Sequence, residues 1–259
     1  MSSNDFCVIV PTYNNIRTLS AVIDSILPYT SKLIVVNDGS TDGTDVLLDK
    51  KKNEIGEGLE VVSYAKNKGK WNAISKGLGA AAAAGFRYAI TMDSDGQHFA
   101  SDIPNFVAAA AAHPDALIVG SRMLKTEEDV PQKNIAANKF SNFWFKVQTF
   151  INLPDTQSGF RLYPVEKVNA IHIFSGRYEA ELEVLVRAAW RFIEVIPIPV
   201  AVYYAPAGER TSHFRPFADF MRISALNTFL TFAAILWFYP QKLWRHFRMI
   251  FQKRTENSK

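Results

Sequence analysis

The stretch Ala89-Ile90-Thr91-Met92-Asp93-Ser94-Asp95-Gly96-Gln97-His98 is an apolar strand that runs into two carboxylates one residue apart. Side chains of an extended chain alternate between two faces, so Asp93 and Asp95 share a face and can turn towards one cation. Carboxylates completed by phosphate oxygens suit a hard divalent ion such as Mg²⁺ or Mn²⁺. The same residue types also make an ordinary strand exit, since Asp, Ser and Gly are common in turns. The rest of the chain favours the cation.

Upstream, Phe6 to Val10 is a continuous apolar run of the kind buried in a parallel sheet, and Pro11 is expected to stop it at the loop Thr12-Tyr13-Asn14-Asn15. Leu19, Val22, Ile23, Ile26 and Leu27 then repeat at helical spacing as far as Pro28. Lys32 to Val36 and Leu59 to Tyr64 read as the second and third strands, Arg87 to Met92 as the fourth and Ala116 to Val119 as the fifth. Ala-rich helices precede the last two. Strands alternating with helices imply an α/β domain with a mainly parallel sheet. Ligands of such sheets bind beyond the carboxyl ends of the strands, so the Thr12 loop, the Asn37 to Asp42 loop and the Asp93 to Gln97 turn should gather at one edge. No Gly-x-Gly-x-x-Gly or Gly-Lys-Ser/Thr follows a strand, which disfavours hydride transfer and P-loop chemistry.

Cys7 is the only cysteine in 259 residues, sits in an apolar run, and reads as a small buried hydrophobe in a reducing compartment. The N-terminus lacks the basic and apolar regions of a secretory signal, so the catalytic region is expected to face the cytosol. Of the net charge of +4, the last 18 residues carry +5, from six basic side chains against Glu256, and the remainder carries −1. Basicity belongs to a tail, and no nucleic-acid groove is expected.

Four segments in order, Val8-Ile9-Val10-Pro11-Thr12-Tyr13-Asn14, Val36-Asn37-Asp38-Gly39-Ser40-Thr41-Asp42, Asp93 to His98, and Ser158-Gly159-Phe160-Arg161, resemble the family 2 glycosyltransferases. The match is nearest to the dolichyl- and polyprenyl-phosphate sugar synthases and covers about residues 5 to 216. It implies a GT-A nucleotide-diphospho-sugar transferase fold in a catalytic domain, residues 1–216, followed by a membrane-associating segment, residues 217–259. Pro11, Thr12 and Tyr13 would line the nucleotide pocket, and Asp38 would accept a hydrogen bond from the base. Asp93, Asp95 and Gln97 would complete the metal site, with Asp93 near the ribose or the metal. Asn37 stands where the family commonly has a second Asp. Lys70 joins the substrate-binding set, although Lys68 and Lys70 also read as solvated loop charges, and Asp42 as a helix cap.

On the acceptor side, Phe140, Phe143, Trp144, Val147, Phe150 and Ile151 fall at helical spacing, a stripe that serves a core or, by the resemblance, a lipid acceptor. Arg122 and Arg161 are candidates to hold an acceptor phosphate, because a guanidinium pairs two oxygens at once. Ser158 is expected beside the substrate. Asp155 would position a phosphate acceptor, which arrives ionised, or act as base towards a hydroxyl. Glu179, Glu181 and Glu183 are read as preceding a helix, with Glu181 at an acidic position of the synthases. Arg210 and His213 lie in a loop that, in the synthases, covers the diphosphate. The resemblance implies single displacement with inversion, and the absence of Gln-x-x-Arg-Trp favours one sugar per event.

Ile223 to Tyr239 is a run of 17 uncharged residues, near the lower limit of ~17–25 for a span, and the basic, aromatic segment after Pro240 suits a membrane interface. A single crossing would send the basic tail outside, against the bias that keeps Lys and Arg inside, so a re-entrant or in-plane hairpin is expected. The partners implied are a nucleotide-sugar donor, a lipid-linked acceptor and the cytoplasmic face of a membrane, with room for a homo-oligomer. Transfer to a hydroxyl of a glycolipid or surface polysaccharide precursor, and an inactive nucleotide-sugar-binding scaffold, are the alternatives.

Overall fold

The protein, a computed structural model, is described over residues 5–122, 132–203 and 216–256. The first half alternates strand and helix: β1 Phe6–Thr12, α1 Ile16–Ile26, β2 Leu33–Asn37, α2 Thr44–Ile55, β3 Leu59–Ser63, α3 Lys70–Ala83, β4 Tyr88–Thr91, α4 Ile103–Ala112 and β5 Leu117–Ser121. The second half adds α5 Gln132–Thr149, β6 Arg161–Pro164, α6 Val165–Asn169, α7 Glu179–Trp190 and β7 Val195–Pro199, then two helices, α8 Pro216–Ala233 and α9 Tyr239–Glu256.

One seven-stranded sheet has the order β3-β2-β1-β4-β6-β5-β7. Only β6 runs against its neighbours; β1 pairs in parallel with β2 and β4, β2 with β3, and β5 with β7. The five inner strands of the sheet are buried on both faces. Cys7, Ile9, Ile34 and Val36 pack with α3, α5 and α7, while Phe6, Val8, Val10, Leu33 and Val35 pack with α1 and α4. Two covered faces explain why β1 and β2 read as unbroken apolar runs.

The expected end of β1 at Val10 is corrected by its backbone register. Val8 N–H donates to Lys32 O and Thr12 O accepts from Asp38 N–H, so even residues face β2. Met92 N–H donates to Ile9 O, so odd residues face β4, whose pairing with β1 ends at Thr91. Pro11 therefore has its missing donor beyond the end of β4, where no ladder bond is lost. The strand continues to Thr12.

Sequence reading also missed β6 and β7. Strand β6 is four residues long and exists through its antiparallel fit between β4 and β5. Strand β7 carries Pro197 and Pro199, which argue against a central strand. Glu194 O and Val200 N–H pair with β5, so the prolines present their missing donors to the open edge.

At the C-terminus α8 passes through a π turn, Ala234–Phe238, directly into α9. Tyr239 N–H reaches Ala234 O, five residues back, which accommodates the ring of Pro240 without breaking the helix. The expected hairpin is thus replaced by one continuous helix. Leu230, Ala234 and Phe238 join the core beside α5 and α7, and Phe238 stacks on Trp190 at 5.9 Å. Asn227, polar for a span, is buried and accepts from Gln148 Nε2 at 3.0 Å. The 25 residues Met221–Arg245 are long and apolar enough to cross a membrane.

Candidate active site

Three loops meet beyond the carboxyl ends of β1, β2 and β4, as the strand order requires. Asn14 N–H donates to Ser40 Oγ and Asn14 Oδ1 accepts from Thr41 N–H, while Asn15 Nδ2 donates to Ser94 Oγ. Asp42 acts as the cap expected of it: one oxygen accepts from Ile16 N–H at the start of α1, the other from Thr44 N–H at the start of α2. Burial works against the charge of Asp42, but the Thr44 hydroxyl and these N–H groups hold its carboxyl below the usual range.

Between the loops lies a cleft of about 730 Å³, within the range typical of small-molecule sites. Pro11, Thr12, Tyr13, Asp38, Lys70, Asp93, Asp95 and Gln97, all singled out in the sequence, line it. Asn67, Gly69, Arg177 and Tyr178 line it too and were missed. Arg177 and Tyr178 come from the turn before α7, which no strand-end pattern marks. Thr12 Oγ1 and Asn15 Oδ1 are buried with no hydrogen-bond partner, so the floor keeps polar capacity for a ligand.

Asp38 is nearly buried, and its oxygens accept from Lys68 N–H at 2.7 Å and Gly69 N–H at 2.9 Å. It shapes the loop that starts α3 while one edge borders the cleft. Asn37 turns inward, with Oδ1 accepting from Ser40 N–H.

Lys70 is no solvated loop charge. It opens α3, and its ammonium lies 2.8 Å from Asp93 Oδ1 and 3.2 Å from Glu181 Oε1. Burial alone would discharge it, yet Asp93 and then Glu181 raise its proton affinity, so it stays cationic. Burial likewise opposes the charge of Asp93, but Lys70 beside it holds its carboxyl low. Asp95 is pushed up to about 6, first by burial and then by the charge of Asp93. His98 is lowered to about 4 by burial, and its neutral ring lies against Phe160 at 5.1 Å. Two neighbouring carboxylates, one with a raised proton affinity, are a donor set that favours an added cation. Among the described residues no cluster of three or more His, Cys, Asp or Glu could hold a metal. Asp93 and Asp95 therefore fit a hard ion that takes its other ligands from water and phosphate oxygens.

The remaining candidates stand apart from the cleft lining. Asp155 has no solvent exposure and accepts from Arg122 N–H, Nε and Nη2, Asn138 Nδ2 and Gln157 N–H. Burial would raise its proton affinity, but Arg122 and the backbone donors hold the carboxyl low. The fork of Arg122, expected on an acceptor phosphate, is turned onto Asp155. Arg161 is fully buried, donating to Ser158 O, Glu181 O and Thr156 O at 2.7 to 3.0 Å. The phosphate clamp expected of Arg161 is corrected accordingly: its donors brace three backbone segments. Ser158 is buried as well, its Oγ accepting from Phe160 N–H. Glu179, Glu181 and Glu183 lie within α7 rather than before it, and all three are buried. Glu183 accepts from Phe174 N–H, Ser175 N–H and Arg187 Nε. Arg210 and His213 lie outside the described residues.

A model described as Glycosyl transferase family 2 matches residues 7–171. The chain belongs to this family. The enzyme is thus a glycosyltransferase of GT-A architecture, as its sequence motifs imply. It is 25% identical over 200 residues to polyprenol monophosphomannose synthase of Mycolicibacterium smegmatis, across 74% of this chain and 75% of that one. It is 26% identical over 216 residues to UDP-N-acetylglucosamine--dolichyl-phosphate N-acetylglucosaminyltransferase of Methanococcus voltae, across 76% and 85%. The mannosyltransferase PcManGT of Pyrobaculum calidifontis, solved with GDP-Man and Mn²⁺, matches at a TM-score of 0.54 and 16% identity over 90% of this chain and 73% of that one. That last likeness is one of fold.

Proposed function

We propose that this glycosyltransferase moves one sugar from a UDP- or GDP-sugar to a polyprenyl phosphate or a related membrane lipid, with inversion at the anomeric carbon. The observation that carries the acceptor class is the set of aromatic rings exposed along α5. Phe140 and Phe143 are exposed, as is Phe150 just past its end, while Phe145 faces the core together with the polar Asn138, Ser141, Gln148 and Thr149. Rings of this size clustered on a helix surface mark a contact with something other than water. The exposed Phe229, Phe232, Leu236 and Trp237 on the C-terminal helix extend the apolar surface. Asn138 ties α5 to Asp155, so the apolar surface and the site share one frame. The family likeness to enzymes named for dolichyl and polyprenol phosphates agrees with this.

Asp155 supports the phosphate acceptor over the hydroxyl one. A carboxylate saturated with five donors and held below its usual proton affinity is a poor base, and an ionised phosphate needs none. Tyr13 and Asp38 border the base, Asp95 with Asp93 and Gln97 receives Mg²⁺ or Mn²⁺, and Arg122 orients the acceptor side. The ion, when bound, offsets charge that builds on the departing diphosphate. The C-terminal helix holds the enzyme at the cytoplasmic face of the membrane.

The test is transfer of radiolabelled sugar into the organic phase in detergent with Mn²⁺, across UDP- and GDP-sugars, with polyprenyl phosphate or a hydroxyl-bearing glycolipid as acceptor. Label on the polyprenyl phosphate is the expected result. Label on the glycolipid alone would overturn the acceptor assignment.

A further inference from the structure

We propose that Lys70 is a resident counter-ion that neutralises Asp93 while the site holds no divalent ion, and that Glu181 is the seat to which its ammonium withdraws when one binds. This rests on the reading of Asp93 and Asp95 as the metal ligands.

The ammonium already touches both seats, 2.8 Å from Asp93 Oδ1 and 3.2 Å from Glu181 Oε1. Glu181 Oε1 is buried and, apart from this ammonium, has no polar partner among the described residues, so no other donor competes for the second seat. A small rotation of the flexible four-carbon stem would improve that contact and free Asp93. Glu181 is held from behind, because its carbonyl accepts from the buried Arg161 Nη1 at 2.7 Å. Room for the ammonium is provided by Gly159. A Cβ at that position would stand 2.7 Å from Lys70 Nζ and 2.6 and 2.9 Å from the two Asp93 oxygens. Lys70 is the cation in direct contact with Asp93 and Glu181, while Arg177 lines the same cleft and Arg122 acts on Asp93 from further off. Lys70 beside Glu181 keeps its countercharge in the site when a metal binds, and removing Lys70 leaves Asp93 without its nearest cation when none does.

The proposal gives the two partners opposite signs, which a merely structural role does not. Mn²⁺ binding to the full chain in detergent, alone and with UDP or GDP, is read from the electron paramagnetic resonance of free Mn²⁺. Lys70→Met removes the competitor for Asp93 and should tighten Mn²⁺ about tenfold, the scale on which a neighbouring charge biases a carboxylate. Glu181→Gln removes the alternative seat, keeps the ammonium on Asp93, and should weaken Mn²⁺ by a similar factor. The thermal midpoint in EDTA should fall for Lys70→Met and be regained on adding Mn²⁺. Unchanged or weaker Mn²⁺ binding in a folded Lys70→Met, or unchanged binding in Glu181→Gln, overturns the proposal. Should Lys70→Met not fold, the Glu181→Gln arm decides alone. Asp95→Asn separates the two readings. If Mn²⁺ binds wild type and Asp95→Asn equally, or binds neither, the metal assignment fails and this proposal with it; if only Asp95→Asn loses Mn²⁺, the Lys70 and Glu181 arms test the counter-ion by itself.

Discussion

Arg122 lays one edge of its guanidinium along the carboxylate of Asp155, Nε to Oδ2 at 2.7 Å and Nη2 to Oδ1 at 2.9 Å. Asp155 has no exposure to solvent, and the Arg122 side chain has 18%. Such a pair earns little against an apolar substitute, but removing one partner strands the other charge. Asp155 also joins three parts of the chain: the end of β5, helix α5 through Asn138, and its own loop through Gln157 N–H.

Acid stability follows from this pair. The folded carboxyl of Asp155 is held below its unfolded value, so its contribution is present above about pH 4 and is lost as pH falls through the lower folded value. Arg122→Gln removes the main compensation for burial. We expect a loss of about 3 kcal/mol at pH 7, together with acid unfolding that begins at higher pH than in wild type. Circular dichroism melts from pH 3 to 7 check it, and superimposable profiles would show that the pair is idle.

Arg161 separates bracing from catalysis. Its donors reach three carbonyls, on Ser158, Thr156 and Glu181, which a point-charge ammonium does not match. Arg161→Lys should cost about 2 to 4 kcal/mol, from one or two buried carbonyls left unpaired. Lipid transfer and nucleotide-sugar hydrolysis should fall together with the thermal midpoint. A loss of transfer alone, with the midpoint unchanged, would return Arg161 to the acceptor.

What the sequence disclosed and what it hid have separate physical causes. The strand-end loops were legible because covered strands leave unbroken apolar runs and the polar residues after them have nowhere else to gather. Strand β6 was hidden because four residues carry no period of their own and pair only through β4 and β5. Pro11 and the prolines of β7 misled because the damage a proline does depends on which side its nitrogen faces, which is set by the neighbouring strand. Phe140, Phe143, Trp144 and Val147 of the aromatic stripe lie on α5 while Phe150 and Ile151 fall past its end, and periodicity does not say whether the face looks inward. The side-chain partners of Lys70 and Asp155 lie 17 to 111 residues away and those of Arg161 are backbone carbonyls, neither of which local spacing reveals.

The division at residue 216 is tested by Phe238. Its ring is 2% exposed and stacks on Trp190, within the same buried cluster as the sheet residues Ile9 and Val36. An appendage would detach without consequence for the rest. Phe238→Ala is expected instead to cost about 3 to 5 kcal/mol and to lower the melting temperature of the nucleotide site along with everything else. Equal melting temperatures, measured with bound nucleotide diphosphate as reporter, would make residues 217–259 an independent element.

The C-terminal helix sets the last expectation. Contacts with the body recur along it: Asn227 with Gln148, Phe238 with Trp190, the hydroxyl of Tyr239 with Val147 O, Lys242 with Thr149 O, and the Arg245 guanidinium 3.8 Å from the Phe192 ring centroid. At 1.5 Å per residue these contacts extend over about 27 Å, close to the ~30 Å of a bilayer core. A helix held to its own domain over that length does not leave it to cross alone. Its exposed rings, with Lys242, Arg245 and Arg248 beyond them, suit an orientation along the membrane surface, where each basic residue contributes ~1 kcal/mol near anionic lipid. We therefore expect the C-terminus on the cytosolic side, reached by an in-plane helix rather than a hairpin. A tag after Lys259 should resist an impermeant label in sealed cells and react once they are opened. Labelling of intact cells would establish a crossing and place the basic tail outside.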